Sequence, residues 1–120
     1  MKVKVSEAKG QVLDYLVAQA MGMKIYRSKS GRWMRANYGE FNHRHGTPWF
    51  EPTRNWGYGG LIIELEKIAL DTWGEEWLAT RIEGSAISEA IDPKPLIAVM
   101  RCYVASKLGD AVEVSNELEV

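Results

Sequence analysis

The sequence predicts an α+β fold in which two principal helices pack on a small, mainly antiparallel sheet, with a long irregular central loop. Two segments carry apolar residues at helical spacing, several short segments alternate like strands, and one long stretch between them has no periodicity. With 120 residues, 46% of them apolar and 26% charged, the chain is expected to form one domain over residues 1–120.

The N-terminal segment predicts a short strand followed by a helix. Lys2-Val3-Lys4-Val5 alternates like a half-exposed strand, and Ser6 is a residue type that caps helices. Gly22 is expected to end the helix, and Ile25 could begin a second strand. Apolar residues between these two ends recur at three- and four-residue spacing: Val12, Leu13, Leu16, Val17 and Ala20.

Residues 27–60 have no periodicity and are rich in Gly, Asn, Arg and aromatic side chains. Loops longer than about 15 residues in compact domains are usually functional or disordered, and the aromatic content argues against disorder. A short helix is then predicted from Gly60 through residues 61–68, so that Gly59 and Gly60 would form the turn in front of it.

The C-terminal half predicts short strands, one clear helix and an edge strand. Residues 77–82 and 85–88 resemble strands around Gly84. Residues 96–108 form the clearest helix, because proline is well tolerated in a first turn and Gly109 is a natural left-handed stop. Residues 112–114 are expected to return as an edge strand beside Val3 and Val5.

The formal net charge of −1 conceals an uneven distribution. Residues 24–60 carry seven basic and two acidic side chains, whereas residues 61–120 carry five basic and twelve acidic ones. This pattern disfavours long duplex DNA as a partner, and it suits a compact anionic ligand or an acidic partner. A simple solvated loop explains the basic segment equally well.

Several classes of protein and site are disfavoured. No apolar run approaches the roughly 20 residues that span a bilayer, and the N-terminus lacks a signal-peptide pattern, so a cytoplasmic protein without membrane association is expected. Cys102 lies within a helical pattern and is expected to be buried. His43 and His45 have a spacing seen in metal sites, but a third ligand is missing, so neither a metal nor a cofactor is predicted.

The candidate binding segment lies at the end of the central loop. Flat rings could stack on a base, Asn55 could pair with a base edge, and Arg54 could hold a phosphate. Backbone N–H groups at a glycine-led helix start would add an anion site. The predicted ligand-binding residues are Trp49, Pro52, Thr53, Arg54, Asn55, Trp56, Tyr58, Gly59 and Gly60.

Two structural alternatives apply to the same segment. Tryptophans are more often core anchors than stacking platforms, and glycine pairs more often make turns than phosphate cradles. A protein–protein inhibitor is the competing function, in which exposed aromatic and apolar side chains form an anchor patch: Trp33, Met34, Tyr38, Trp49 and Phe50. No catalytic signature is visible, although distant residues could still assemble one.

Two motifs resemble the NinX family of small tailed-phage accessory proteins, which carry a domain of unknown function. They span Pro52–Glu64 (PTRNWGYGGLIIE) and Pro95–Asp110 (PLIAVMRCYVASKLGD), and the opening residues 1–6 are also similar. The family usually has an acidic residue where Asn55 stands and a proline where Leu61 stands. Any role that needs a carboxylate at position 55 is therefore in doubt.

The resemblance implies a phage accessory protein that acts inside an infected or lysogenic bacterium. The proline-threonine and tryptophan pattern is also distantly similar to phage proteins that sequester nucleotide-derived immune signals. We therefore expect an anti-defence protein that sequesters a small nucleotide-like anion. Modulation of a host protein is the alternative, and a nucleic-acid accessory role is the weaker one. The apolar helix at 96–108 could serve a monomer core or a dimer, and a homodimer is favoured.

Overall fold

The computed structural model describes residues 1–36 and 48–114, in which three helices and seven strands are found. The helices are α1 (Gly10–Met21), α2 (Trp56–Glu66) and α3 (Pro95–Leu108). The strands are β1 (Lys2–Lys4), β2 (Ile25–Arg27), β3 (Trp33–Arg35), β4 (Ala69–Trp73), β5 (Glu76–Glu83), β6 (Ala86–Asp92) and β7 (Ala111–Glu113).

α3 is the central element of the core. Its residues 96–104 are all buried, because α1 and α2 pack against it and its other side lies on β5 and β6. Pro95 occupies the first turn and Gly109, with φ of 93°, ends the helix, so both predicted boundaries are confirmed to within one residue. α3 is therefore enclosed by elements of its own chain over residues 96–104, and the homodimer stays a prediction.

The strands form three small antiparallel sheets instead of one. β4, β5 and β6 make a meander, β2 pairs with β3, and β1 pairs with β7. The last pairing places Val3 opposite Val112, which confirms the predicted edge strand. The α+β class is confirmed as well. β4 was not predicted, because its residues have no clear alternation and are recognisable only through pairing with β5.

α1 starts later than predicted. A 3-10 turn at Val5–Glu7 follows β1, and Lys9 occupies the N-cap position of α1. Ser6 is therefore not the cap, because it lies inside this 3-10 turn, whose first residue, Val5, bonds through its N–H to the Asp110 carbonyl at 2.9 Å. The other end is confirmed, since Gly22 closes the helix in a left-handed conformation.

α2 starts earlier than predicted. It begins at Trp56, whereas the prediction placed the first turn at Gly60. The glycines expected in front of the helix therefore lie inside it. β2 confirms the strand predicted to begin at Ile25, whereas residues 27–60, predicted to be irregular, contain β3, and Trp49 makes an isolated antiparallel bridge to Met34. Tyr38, His43 and His45, which figured in predictions from the sequence, lie outside the described residues.

Candidate functional site

The aromatic rings of the predicted binding segment do not share one surface. Trp49 is half-buried beneath Arg32, whose guanidinium carbon lies 4.1 Å from the ring centroid. Tyr58 is buried and meets Phe50 edge-on, with 5.2 Å between the ring centroids. Trp56, in contrast, is 55% exposed at the start of α2. Of the three rings predicted to stack, Trp56 is the one that a ligand could reach freely.

Asn55 and the glycines of α2 have structural positions. The Asn55 Oδ1 atom accepts a hydrogen bond from the Gly57 N–H at 2.8 Å, which caps the helix. The Gly59 N–H donates to the Asn55 carbonyl at 2.9 Å, and Gly59 packs against Leu96 of α3. Gly60 also lies within the helix. The free glycine N–H groups expected at a helix start are therefore not present at these two positions.

Pro52 and Thr53 are buried and fix the turn that precedes α2. The Thr53 backbone N–H donates to the Asp14 carboxylate of α1 at 2.9 Å. This hydrogen bond fastens the turn to α1. As a result, the neighbouring Arg54 is held at the surface beside the first turns of α1.

Arg54 belongs to a small ionic group. Glu51 accepts from Arg54 at 2.5 Å and from Arg32 at 2.6 Å, and Arg32 in turn covers the Trp49 ring. These hydrogen bonds, led by that from Arg32, lower the pKa of the Glu51 carboxyl. Arg54 is exposed, so its guanidinium can also reach a ligand, whereas most of the charge of Glu51 is satisfied internally.

An open cleft of about 690 Å³ lies between this turn and the starts of α1 and α3. That volume is in the range of small-molecule sites. Residues from three separate parts of the chain line it, and no aromatic side chain is among them. They are Lys9, Gly10, Gln11, Asp14, Glu51, Thr53, Arg54, Asp92, Pro93, Lys94, Ile97 and Arg101.

Two helix N-termini border the cleft, and each has a lysine at its N-cap position. Lys9 precedes α1 and Lys94 precedes α3, and neither side chain caps its helix. Within residues 1–36 and 48–114, neither ammonium group forms an ion pair. A cation is an unfavourable choice at a helix start, because the helix dipole and the free N–H groups there already favour negative charge. An anion bound in the cleft would offset the unfavourable positive charge at the two helix starts.

The acidic residues of the cleft are largely satisfied by neighbours. Asp92 accepts from the Arg101 guanidinium at 3.0 Å and from the Lys94 N–H at 2.9 Å. Asp14 is nearly inaccessible, and burial raises its pKa to about 6, although the hydrogen bond from Thr53 opposes that shift. Near pH 6 and below, the cleft therefore presents more uncompensated positive than negative charge.

A model of the family described as Bacteriophage P22, NinX matches residues 4–107. The chain belongs to the NinX family of phage proteins. The match includes both motifs noted in the sequence except the last residues of the second. No curated protein sequence matches this NinX-family chain.

Sequence reasoning missed the two lysines that flank the cleft of this NinX-family protein. Lys94 stands between two prolines, Pro93 and Pro95, just before the clearest helix, and this context was available in the sequence. Lys9 was hidden because the start of α1 was placed too early. Of the predicted site residues, only Thr53 and Arg54 line the cleft.

The anchor patch expected for a protein–protein inhibitor is not exposed in this NinX-family fold. Trp33 and Phe50 are buried in the core, and the Trp33 indole N–H donates to the Gln11 carbonyl at 3.0 Å. Their burial follows from the β2–β3 hairpin, which packs this segment against α1. Met34 and Trp49 are half-buried. Trp33 and Phe50 therefore cannot serve as the exposed anchors that were predicted, and Tyr38 of the same set lies outside the described residues.

No helix in the described ranges is long and apolar enough to cross a membrane. Nor do three or more His, Cys, Asp or Glu side chains come together there in a group that could hold a metal ion.

Proposed function

We propose that this NinX-family protein binds a small nucleotide-derived anion in the cleft between α1 and α3 and sequesters it. The observation that carries the proposal is that Lys9 and Lys94, each at a helix start and neither ion-paired within the described residues, line one cavity. Helix N-termini and lysines both favour phosphate groups. Arg54, from the turn before α2, supplies a third cation at the same cleft.

The proposed pose separates the phosphate from the base. Among the described residues, the cleft is lined by cations but by no aromatic ring, so it suits the phosphate-bearing part of a ligand. Trp56 follows Arg54 by two positions and is exposed, which makes it our choice for a ring that stacks on the base. Asn55 is engaged as a helix cap, so we assign it no contact with the base.

Sequestration without chemistry is the simplest role for such a site. The carboxylates at the cleft are held by Arg32, Arg54, Arg101 or backbone N–H groups, and none is paired with a nucleophile. The proline-threonine and tryptophan pattern is distantly similar to that of phage proteins that sequester nucleotide-derived immune signals, and on this resemblance we propose an anti-defence purpose. We accordingly propose no catalytic residue.

Thermal unfolding with a ligand panel tests this proposal. Pyrophosphate, ADP, ADP-ribose and cyclic ADP-ribose would each be added to the purified protein at low salt. A ligand at about 100 times its Kd adds about 2.7 kcal/mol, which raises the Tm of a domain this size by several degrees. We expect at least one of these phosphate compounds to raise the Tm by several degrees. If none of them raises the Tm, the proposal is wrong.

Matched variants locate the site. Lys9→Gln and Lys94→Gln should each weaken binding, whereas Lys29→Gln, at an exposed lysine outside the cleft lining, should leave it unchanged. Trp56→Ala should weaken ADP-ribose but not pyrophosphate, since pyrophosphate has no base to stack. Trp73→Ala is its control, because Trp73 is similarly exposed on a different element. Equal binding by parent and Lys9/Lys94 variants would place the anion elsewhere.

A further inference from the structure

The solvent-facing side of the β4–β5–β6 sheet carries an apolar surface that the described part of the chain leaves uncovered. Side chains alternate along β5, so that Ala79 and Arg81 point towards α3 while Leu78 and Ile82 point away. The strand register then places five large apolar residues on the outer side: Trp73, Leu78, Ile82, Ile87 and Ile91. We call these residues the sheet face.

The residues of the sheet face are grouped rather than scattered. Ile82 lies directly opposite Ile87, and Leu78 lies directly opposite Ile91. Trp73, Leu78 and Ile91 also line a shallow groove of about 350 Å³ with Glu89. Single exposed apolar residues are ordinary on protein surfaces, but a contiguous group of them marks an interaction site.

The need to form strands does not by itself explain why isoleucine occupies the outward positions 82 and 87. Threonine also has high β propensity, and it occupies an outward position of the same strand at Thr80. Ile82 and Ile87 are nevertheless 66% and 62% exposed, and Trp73 is 65% exposed. The sheet face therefore exposes more apolar surface than strand formation requires.

The charges around the sheet face indicate what would cover it. Its outward positions include Asp71, Glu76 and Glu89 but no basic residue. A second copy of the chain, packed face to face, would bring these carboxylates against their own equivalents. A partner surface with an apolar centre and surrounding Lys or Arg residues would instead be complementary.

We propose that the sheet face docks a protein partner that presents an apolar patch bordered by basic residues. None of the sheet-face residues lines the cleft between α1 and α3, so the two surfaces are separate. A NinX-family protein with both sites could hold a small anion while attached to a bacterial protein. The aromatic and aliphatic residues would supply the buried centre of the interface, and the carboxylates would set its orientation.

Site-specific photo-crosslinking tests this proposal with the complete chain. Benzoylphenylalanine would replace Ile82 in one protein and Leu65 in a control, because Leu65 is 67% exposed on α2. Both proteins would be irradiated in a bacterial lysate, and the crosslinked peptides would be mapped. We expect an adduct from position 82 but not 65, on a partner segment with apolar residues flanked by Lys or Arg.

Charge reversal and salt identify the electrostatic part of the contact. Asp71→Lys with Glu89→Lys should lower the position-82 adduct by about tenfold, and raising salt from about 0.05 M to about 0.5 M should lower it as well. Lys9→Gln should not affect the adduct, which separates this surface from the anion cleft. An adduct to a second copy, equal adducts from both positions, or no response to charge reversal would each overturn the proposal.

Discussion

The Asp14 carboxylate of α1 accepts a hydrogen bond from the Thr53 backbone N–H at 2.9 Å, across 39 positions of the chain. The bond joins the first helix to the turn that presents Arg54 at the cleft. Asp14 is only 2% exposed, and burial raises its pKa to about 6. One buried acid therefore affects the stability of the fold and the charge of the candidate anion site.

Asp14→Asn should change the pH dependence of stability. The folded state raises the Asp14 pKa from 3.8 to about 6, so it binds the proton more tightly than the unfolded chain does. This stabilising contribution is complete below pH 3.8 and disappears as the pH rises through 6. The loss amounts to about 3 kcal/mol. Asparagine keeps an oxygen for the Thr53 N–H but cannot ionise.

Urea unfolding of both proteins at a series of pH values measures this effect. Relative to the parent, the Asn variant should gain free energy of unfolding between about pH 4 and pH 6 and hold the gain at higher pH. Asp14→Ala distinguishes charge from hydrogen bonding, because it removes the acceptor as well. A parent–Asn difference that is constant with pH would show that Asp14 is not the titrating group.

Asp14→Asn should also strengthen anion binding at neutral pH. An ionised Asp14 lines the cleft beside Lys9 and Arg54 and opposes a phosphate placed there. Calorimetry with pyrophosphate at about pH 7.5, well above the Asp14 pKa, should give a several-fold lower Kd for Asp14→Asn than for the parent. With sulfate, whose charge is constant, the two proteins should converge below about pH 5. Weaker binding by the variant would exclude Asp14 from the electrostatics of the site.

Local signals predicted some elements and misplaced others for physical reasons. α3 was predictable because Pro95 and Gly109 mark its ends and its apolar residues fill the core between them. The start of α1 was misplaced because residues 5–7 form a 3-10 turn, joined to Asp110 through the Val5 N–H, and the helix begins only after Lys9. Similarly, β4 could not be predicted from its own residues, because only its pairing with β5 identifies it as a strand.

The candidate site was less predictable than the fold. Its cations come from the residue before α1, the turn before α2 and the residue before α3, and no local pattern reports that these three points converge. The aromatic segment was predicted to bind a ligand because of its composition. Tyr58, Pro52 and Gly59 of this segment are instead buried, where they pack in the interior. Composition drew attention to a segment of which Thr53 and Arg54 line the cleft, whereas the other predicted residues lie outside its lining.

Gly59 and Gly60 should respond oppositely to alanine. Both lie inside α2, so both substitutions gain about 0.5–1 kcal/mol of helix propensity. A Cβ at Gly59, however, would overlap the buried Leu96 Cδ2 atom, whereas one at Gly60 meets nothing within 4 Å. Gly59→Ala should therefore be less stable than Gly60→Ala by about 1–3 kcal/mol. Equal Tm values for the two variants would show that Leu96 can move aside without cost.

Cys102 should be inert in the folded protein. Its side chain is fully buried in α3, its Sγ donates to the Ser88 carbonyl at 3.3 Å, and burial raises the pKa of the thiol to about 11. At about pH 8, almost no thiolate is present to attack a disulfide reagent. Reaction with such a reagent should be negligible without denaturant and rapid in guanidinium. Fast labelling of the native protein would indicate local opening of α3.

Arg101 should be the most important charged residue for stability. Its Nε–H donates to the Ala8 carbonyl at 2.8 Å and its Nη1 contacts Asp92 at 3.0 Å, so one buried side chain links α3 to the N-terminal segment and to the end of β6. Arg101→Met keeps much of the side-chain length but leaves both acceptors without this donor. The free energy of unfolding should fall by about 3 kcal/mol.

Arg101→Lys provides the matched control, because it keeps the positive charge but cannot donate in the two directions of a guanidinium. Its free energy of unfolding should lie between those of the parent and Arg101→Met. Urea unfolding at neutral pH, with the dependence on denaturant checked for each protein, measures all three. If the Met variant were as stable as the parent, apolar packing would replace the ionic link, and Asp92 would be oriented by the Lys94 N–H alone. In that case the α3 end of the cleft would not depend on Arg101.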